Sequence, residues 1–406
     1  MPTPRGDASA APAPLLTGLV LTGGGARAAY QVGALQAVCD LLDPGRGPGF
    51  SNPFPIICGT SAGSINAAAL ACRAHEPHEA MRRTRHLWET LHTGKIYRSD
   101  PVGLLHSGVR WLGMLALGWL MPRARRTQPR SLLDNAPLAR LLDGVLDFSQ
   151  LQTNIEKGAL SALAVTASGY TSGEHLTFYQ SRLSIEPWRR SLRRAVSDRI
   201  ETDHLMASAA IPFIFPARSL CIGGQLEWCG DGSMRQLAPI SPAVHLGADR
   251  VLVIGTGHSD DTHPEQRQAS PPYPSLAEIG GHALSNIFLD SVSTDVERLE
   301  RVNAFLDAAP DAARATGLRR VKALALGPSR SLDDLALDHL HQMPAAVRAL
   351  FRVLGIRANG GAAGGGALLS YLLFESAYTR ELIELGYADT MRRTDEVNAF
   401  FKEACA

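Results

Sequence analysis

The sequence predicts an α/β fold in which parallel strands are joined by helices. Two short apolar runs, residues 15–21 and 54–58, each lead into glycine, which is typical of a buried strand that feeds a tight turn. Residues 26–42 lack proline and have apolar residues at helical spacing, and residues 62–74 are rich in alanine. The order of strand, glycine turn and helix thus occurs twice in succession. This order predicts parallel strands with right-handed crossovers.

Farther along the chain, apolar runs bounded by turn residues predict additional strands. Residues 159–167 and 175–180 flank a polar stretch, so we expect these two strands to pair. The other predicted strands are residues 213–220, 226–229, 250–254 and 321–326. The helices predicted in the second half of the chain are residues 275–306, residues 367–385 and a final helix that ends near Lys402.

The composition excludes several functional classes. A formal net charge of +1 with 45% hydrophobic residues indicates a globular chain, neither a basic nucleic-acid-binding surface nor a disordered polyelectrolyte. The six cysteines form no CxxC pair and no Cys/His ligand spacing, which indicates reduced, buried thiols and no metal site. Residues 1–14 are rich in alanine and proline and predict a disordered leader.

A G-x-S-x-G pattern lies where the second predicted strand meets the alanine-rich helix, with Gly59 and Gly63 flanking Ser61. A serine on such a sharp turn is held at the carboxyl edge of the sheet, and its neighbours must be small because other backbone comes close. The pattern therefore predicts a nucleophile elbow with Ser61 as nucleophile. The alternative interpretation is a helix cap in which the serine only satisfies backbone donors.

The first glycine turn, residues 23–27, is a candidate oxyanion site. Its consecutive backbone N–H groups lie at the start of a helix and carry no bulky side chains until Arg27. Preorganised donors at such a point can each stabilise the tetrahedral intermediate of acyl transfer by roughly a hundredfold in rate. Arg27 has two candidate roles, holding the loop or making contact with an anionic head group.

The same turn also fits a dinucleotide-binding fingerprint loosely, because Gly23, Gly25 and Ala28 occupy the glycine positions after a strand. A dinucleotide site needs an acidic residue at the end of the second strand. Residues 59–61 occupy that position and are Gly, Thr and Ser. The fingerprint is therefore the weaker interpretation of this loop.

Asp231 lies in a Gly-Asp-Gly turn directly after the predicted strand at 226–229, where a carboxylate can project into a cleft. The glycine turn, the elbow, the Ala-Ser-Ala-Ala-Ile-Pro stretch at 207–212 and this Asp-Gly pair occur in the order seen in patatin-like phospholipases. Residues 15–260 therefore resemble that family. The resemblance implies a three-layer α/β/α sandwich with a mostly parallel central sheet, to which the residue pattern adds a helical insertion and a helical C-terminal part.

The resemblance also implies a catalytic dyad with Ser61 as nucleophile and Asp231 as base. It further implies oxyanion donors on the loop at Gly24, Gly25 and Ala26. An unperturbed aspartate titrates near ~3.9 and is a poor base at neutral pH, so its surroundings have to raise its pKa.

A conventional triad would need a histidine after the acid in chain order. None of the available histidines lies in a distinctive motif, and each is interpreted as a surface or core residue. Only one predicted strand precedes the elbow strand, which also favours the dyad. The histidines available for a triad are His245, His258, His263 and His282.

Residues 102–121 are rich in Leu, Trp, Gly and Met and are followed by four arginines up to residue 130. The stretch is short for a spanning helix, which needs about 20 apolar residues, and Arg110 would lie near its centre. It predicts an interfacial helix with Trp111 and Trp119 at headgroup depth. A core or cap helix inside the protein is the alternative.

The expected organisation is a leader over 1–14, a catalytic domain over 15–330 with a hydrophobic insertion at 102–130, and a helical region over 331–406. The expected function is hydrolysis of lipid acyl esters, of phospholipase A or lysophospholipase type, without metal or cofactor. The expected partners are a phospholipid or other acyl-ester substrate and a membrane surface to which the protein binds peripherally. The expected location is the cytoplasm, with peripheral attachment to the inner face of the membrane. The alternatives are an idle lipid-binding protein that keeps the cleft and, with less support, a dinucleotide-binding oxidoreductase.

Overall fold

The computed structural model describes residues 15–47, 49–99, 131–257, 291–309, 311, 316–353 and 366–402, and the structure is discussed for these ranges. Several sequence predictions lie outside the described residues. They are the leader at 1–14, the insertion at 102–130 with Trp111 and Trp119, the first part of the helix predicted at 275–306 up to residue 290, and the histidines His258, His263 and His282.

The described strands form one sheet of ten strands. They are β1 Thr17–Leu21, β2 Ile56–Thr60, β3 Ala162–Gly169, β4 His175–Ser181, β5 Arg189–Arg190, β6 Arg193–Ser197, β7 Arg218–Ile222, β8 Gln225–Asp231, β9 Arg250–Ile254 and β10 Lys322–Leu326. The main order is β10-β9-β1-β2-β3-β4-β6-β5, and the first five strands in this order run parallel. Strand β4 is antiparallel to β3, while the β7–β8 hairpin joins the sheet through the end of β3.

Helices cover both faces of this sheet, and two short 3₁₀ helices, Gly25–Ala28 and Leu340–Gln342, accompany them. The described α-helices are α1 Ala29–Leu42, α2 Ala62–Ala71, α3 Pro77–Glu89, α4 Thr93–Ile96, α5 Ala136–Val145, α6 Phe148–Lys157, α7 Thr202–Ser208, α8 Ser241–His245, α9 Val292–Ala308, α10 Leu332–His339, α11 Ala345–Val353, α12 Gly366–Leu372, α13 Ser376–Arg392 and α14 Thr394–Lys402.

Alternate residues of the central strands pack on opposite faces of the sheet, because successive side chains of a strand point in opposite directions. In β1, Leu19 and Leu21 belong to the core beneath α1, α2 and the C-terminal helices. Val20 belongs to the second core, which α8 and α9 cover. The result is the three-layer α/β/α sandwich with a mostly parallel sheet that the sequence predicts.

The predicted strands that correspond to β1, β2, β3, β4, β8, β9 and β10 are confirmed within a few residues, but of the strand predicted at 213–220 only the part from Arg218 is found, and residues 213–217 are not part of a strand. They follow Pro212, and Phe213 has a positive φ of 66°, which no strand residue adopts. The carbonyl of Phe213 instead accepts a hydrogen bond from the amide of Leu132 at 2.8 Å. The predicted helix at 367–385 is likewise two helices, since residues 373–375 separate α12 from α13.

Helix α13 packs along α1 with almost no side chain between the two backbones. A Cβ atom on Gly33 would lie 1.8 Å from the carbonyl oxygen of Ile383, and one on Gly386 would lie 2.1 Å from that of Tyr30. The two helices can approach this closely only because both positions are glycine. The C-terminal helices are therefore joined tightly to the layer that follows the first strand.

We expect Gly33→Ala to destabilise the protein by about 2 kcal/mol, because α1 and α13 must separate to admit the methyl group. Urea unfolding followed by circular dichroism measures the change. Gly45→Ala is the matched control, since a Cβ atom there has no neighbour within 4 Å. Equal stability of the two variants would contradict the close contact of α1 with α13.

Candidate active site

Strand β3 pairs with two different strands along the same edge. Its first part pairs with β2 up to Thr60 opposite Thr166, and its last part pairs with β8 from Asp231 opposite Ala167. Because β2 is parallel to β3 and β8 is antiparallel to it, the carboxyl ends of β2 and β8 meet beside β3. This arrangement brings Ser61, which directly follows β2, next to the last residue of β8.

Ser61 occupies a strained turn between β2 and α2. Its φ of 52° and ψ of −128° are costly for a residue with a side chain, by about 1–3 kcal/mol. Its amide donates to Oγ of Ser208 at 2.8 Å, and its carbonyl accepts from Oγ of Ser64 at 2.6 Å. These bonds hold the sharp strand-to-helix turn, and the serine itself is 1% exposed.

Gly59 and Gly63 flank this serine in places where no side chain fits. A Cβ atom on Gly59 would lie 2.5 Å from Cα of Ser64. One on Gly63 would lie 2.4 Å from the carbonyl oxygen of Leu21, in the neighbouring strand β1. The glycines therefore let the turn sit directly on the end of β1.

Asp231 is fully buried and binds the serine. Its Oδ2 accepts a hydrogen bond from Oγ of Ser61 at 2.6 Å, and its Oδ1 accepts one from the amide of Ser233 at 2.8 Å. Burial raises the pKa of Asp231 to about 6, and these hydrogen bonds oppose the shift only in part. The carboxylate is thus a stronger base than an exposed aspartate and is still ionised at neutral pH.

His175 lies close to the site but makes no hydrogen bond to the side chain of Ser61 or Asp231. Its Nε2 is 3.0 Å from the carbonyl oxygen of Gly232, and burial lowers its pKa to about 4. The ring is therefore neutral at neutral pH and donates Nε2–H to that carbonyl. The bond fixes the turn that follows Asp231.

His245, one of the candidate triad histidines, lies elsewhere. Its ring stacks on Trp188 with the ring centroids 4.6 Å apart. Within the described part of the chain, no histidine nitrogen makes a hydrogen bond to Ser61 or Asp231.

The glycine turn after β1 presents backbone donors near the serine. The amides of Gly24, Gly25 and Ala26 open the 3₁₀ helix, and no acceptor in the described ranges takes a hydrogen bond from any of them. Gly25 has a positive φ of 55° and lines the same pocket as Ser61. These amides can therefore donate to a negatively charged oxygen bound at the serine.

Arg27 is buried under the C-terminal helices. Its Nε donates to Oγ of Ser370 at 2.8 Å, its Nη2 forms an ion pair with Asp333, and its guanidinium carbon lies 4.0 Å from the ring centroid of Tyr371. Of its two candidate roles, these contacts favour holding the loop over binding an anionic head group. The side chain ties the glycine turn to α10 and α12.

An apolar pocket opens beside Ser61 with a volume of about 40 Å³, which is room for only a few water molecules. An extended acyl chain can enter only if the lining side chains move apart. The other lining residues are almost all apolar. They are Gly25, Ala62, Ile65, Leu87, Trp88, Leu91, Ile96, Leu138, Leu141, Leu142, Ala209, Ile211, Phe215 and Phe374.

The described residues hold no group of three or more His, Cys, Asp or Glu side chains arranged to bind a metal ion. None of the helices in these ranges is both long and apolar enough to cross a membrane. The five cysteines among them are free thiols, and burial raises the pKa of the Cys39, Cys72 and Cys229 thiols to about 12.

The model of the patatin-like phospholipase family matches residues 19–244, which is more than half of the chain and includes both Ser61 and Asp231. The chain therefore belongs to the patatin-like phospholipase family. It is a lipid ester hydrolase, and the dinucleotide-binding alternative is wrong. No curated protein sequence matches it.

Two solved structures resemble the chain at a distance. VipD from Legionella pneumophila is 13% identical with a TM-score of 0.37, over 95% of this chain and 67% of that one. Human GIVD cytosolic phospholipase A2, in complex with methyl gamma-linolenyl fluorophosphonate, is 14% identical with a TM-score of 0.40. That match covers 96% of this chain and 60% of the human one.

Two residues that support the site do not stand out in the sequence. Ser208 lies in the Ala-rich stretch at 207–212, where nothing marks its hydroxyl as the acceptor for the amide of Ser61. His175 begins β4 and has no motif around it. Both act through contacts that span more than 50 residues, so only the folded chain reveals them.

The buried carboxylate makes stability depend on pH. The folded-state pKa of Asp231, about 6, exceeds the unfolded value of 3.8, so its contribution is most favourable below pH 4 and is lost as the pH rises through 6. We expect wild type to lose about 2 kcal/mol relative to Asp231→Asn between pH 4 and pH 8. Urea unfolding of both proteins at several pH values measures it, and a difference that stays constant with pH would refute it.

Proposed function

We propose that Ser61 and Asp231 form a catalytic dyad that hydrolyses lipid acyl esters through an acyl-Ser61 intermediate. The reaction is of phospholipase A or lysophospholipase type. The observation that carries the proposal is the 2.6 Å hydrogen bond from Oγ of Ser61 to Oδ2 of Asp231 on a strained turn that opens into an apolar pocket.

In the first half of the reaction, Oγ of Ser61 attacks the ester carbonyl carbon while its proton passes to Oδ2 of Asp231. The tetrahedral intermediate then collapses, and the carboxyl group returns this proton to the departing alcohol oxygen. An acyl ester of Ser61 remains. A base whose pKa lies near 6 suits both steps, because it accepts and releases a proton close to neutral pH.

In the second half, a water molecule attacks the acyl carbon and gives its proton to Asp231. The intermediate expels Oγ of Ser61, which takes the proton back, and the fatty acid leaves. The backbone amides of Gly24, Gly25 and Ala26 donate hydrogen bonds to the negatively charged oxygen in both tetrahedral intermediates. Among the described residues these three amides donate no other hydrogen bond, which supports this role.

The apolar pocket supports a lipid substrate. Side chains such as Ile65, Leu142 and Phe374 line it, and a fatty acyl chain that displaces them replaces one apolar contact with another. The ester carbonyl then lies at Ser61, where the pocket meets the glycine turn. Peripheral membrane association, interfacial positions for Trp111 and Trp119 and a cytoplasmic location remain predictions from the sequence.

We expect Ser61→Ala and Asp231→Asn each to reduce kcat for a short-chain ester at least a thousandfold while the protein stays folded, because both residues act in one chemical step. The reactions are followed by release of the chromogenic alcohol. Covalent labelling of wild type, but not of Ser61→Ala, by a fluorophosphonate probe excludes an idle lipid-binding protein. Failure of wild type to label would favour that alternative.

His245→Ala is the control that separates the dyad from a triad. Of the four candidate triad histidines it removes the one that lies within the described residues, where its ring packs on Trp188. We expect its kcat to stay within a factor of ten of wild type. A loss as large as that of Asp231→Asn would indicate a triad.

The raised pKa of the base sets the pH profile. Since Asp231 has to be ionised to accept the serine proton, kcat/KM should rise about tenfold per pH unit below pH 6 and level off above it. Initial rates with a soluble ester between pH 4.5 and 8 measure the profile. A midpoint near pH 4 would mean that the carboxylate behaves as an exposed aspartate and would contradict its assignment as a tuned base.

A further inference from the structure

An arginine-rich hairpin forms the outer edge of the sheet. Strands β5 and β6 pair so that Arg189 lies opposite Arg194 and Arg190 lies opposite Arg193. Like charges directly opposite each other destabilise an antiparallel pair. Two such pairs in succession are therefore a feature that the fold alone does not require.

Most of this positive charge is not neutralised within the protein. Nη2 of Arg189 lies 2.7 Å from Oε1 of Glu174. Across the described ranges, no carboxylate lies within 4.0 Å of Arg190, Arg193 or Arg194, and Arg193 acts on the carboxyl of Asp295 only from a longer distance. The hairpin thus presents about three net positive charges over six residues.

The tip of the hairpin is apolar. Leu192 has a positive φ of 55° and is 60% exposed, although burying a leucine is worth roughly 1.5–3 kcal/mol. Its carbonyl accepts a hydrogen bond from the amide of His175 at 2.8 Å. Trp188, at the base of the hairpin, stacks on both Tyr179 and His245. The hairpin is therefore held firmly while its leucine points away from the core.

Strand register places this tip at the same end of the sheet as the dyad. One row of paired residues crosses four neighbouring strands. In this row Asp231 of β8 pairs with Ala167 of β3, Ala167 pairs with Leu176 of β4, and Leu176 pairs with Arg194 of β6. Arg194 is thus three strand spacings, about 14 Å, from Asp231 in one row across the sheet. The hairpin turn follows directly beyond this row.

Other exposed apolar side chains lie at this end. Tyr170 directly follows β3, and its amide donates to the carbonyl of Trp228 at 2.7 Å, so both residues lie beyond the end of that strand. Leu226 is two residues farther along the same hairpin. All three side chains are more than 40% exposed. Cationic and large apolar side chains therefore occur together around the dyad end of the sheet.

We propose that the docking surface, formed by Arg190, Leu192, Arg193 and Trp228, binds an anionic lipid surface. The arginines contact lipid phosphates while the leucine and tryptophan enter the interface. A nucleic acid or a soluble anion would contact the arginines but gain nothing from the apolar tip. The proposal rests on the proposed function, since docking here presents lipid esters to the end of the sheet that holds Ser61.

The test is flotation of the full-length Ser61→Ala protein with phosphatidylcholine vesicles that contain or lack phosphatidylglycerol. In this background we compare the double variant Arg190→Gln/Arg193→Gln with the control Arg182→Gln/Arg199→Gln. The control removes the same charge at the opposite end of β4 and β6. We expect the hairpin variant to bind anionic vesicles about 25-fold more weakly, at roughly fivefold per arginine, and the control to change less than threefold.

A second variant, Leu192→Asn, tests the apolar tip without changing charge, because asparagine tolerates the left-handed conformation. We expect about tenfold weaker binding to the same vesicles. Unfolding midpoints of all variants are compared with the parent, and if the double variant does not fold, the leucine variant decides.

Three results would overturn the proposal: no binding of the parent to anionic vesicles, equally strong binding to neutral ones, or equal losses in the two double variants. The serine variant cannot hydrolyse lipid through the proposed dyad, so binding is measured independently of catalysis. Vesicle binding together with a wild-type protein that hydrolyses no ester would refute the proposed function alone.

Discussion

The backbone ladder of β3 is the constraint on which the rest of the site depends. One edge of this strand holds β2 as far as Thr60 and then holds β8 from Asp231, so two chain segments 170 residues apart end at the same point. A shift of β8 by one residue would turn the carboxylate to the other face of the sheet. The register therefore fixes which acidic side chain can reach Ser61.

This arrangement carries two costs that the surroundings offset. Ser61 has a conformation that disfavours any side chain, and Asp231 places a carboxylate where no solvent reaches it. The amide of Ser61 binds Ser208, and the carboxylate accepts hydrogen bonds from Ser61 and Ser233. Burial without full compensation raises the pKa of Asp231, so the same low dielectric that costs stability makes its carboxylate more basic than an exposed one.

The sequence predicts the fold well where local patterns decide. The glycine turns and the short apolar strands of the parallel sheet follow from local pattern and spacing, whereas the pairing of Ser61 with Asp231 is implied by the family resemblance. It does not predict β5 and β6, because residues 189–194, four arginines with one serine and one leucine, do not form the alternating apolar pattern of a half-buried strand and leave only Ala195 and Val196 as an apolar run. It also leaves Arg27 undecided, since its partners Asp333 and Ser370 lie more than 300 residues away.

Topology also explains why so many exposed features share one end of the sheet. Since β4 runs antiparallel to β3, its start lies where β2 finishes, and β6, parallel to β4, starts there as well. The turn between β3 and β4 and the turn between β5 and β6 must therefore project on the side where Ser61 and Asp231 meet. An ester embedded in a lipid surface can reach a buried serine only if that side faces the surface. The exposed leucine and the arginines of the hairpin thus lie at the same end of the sheet as Ser61 and Asp231.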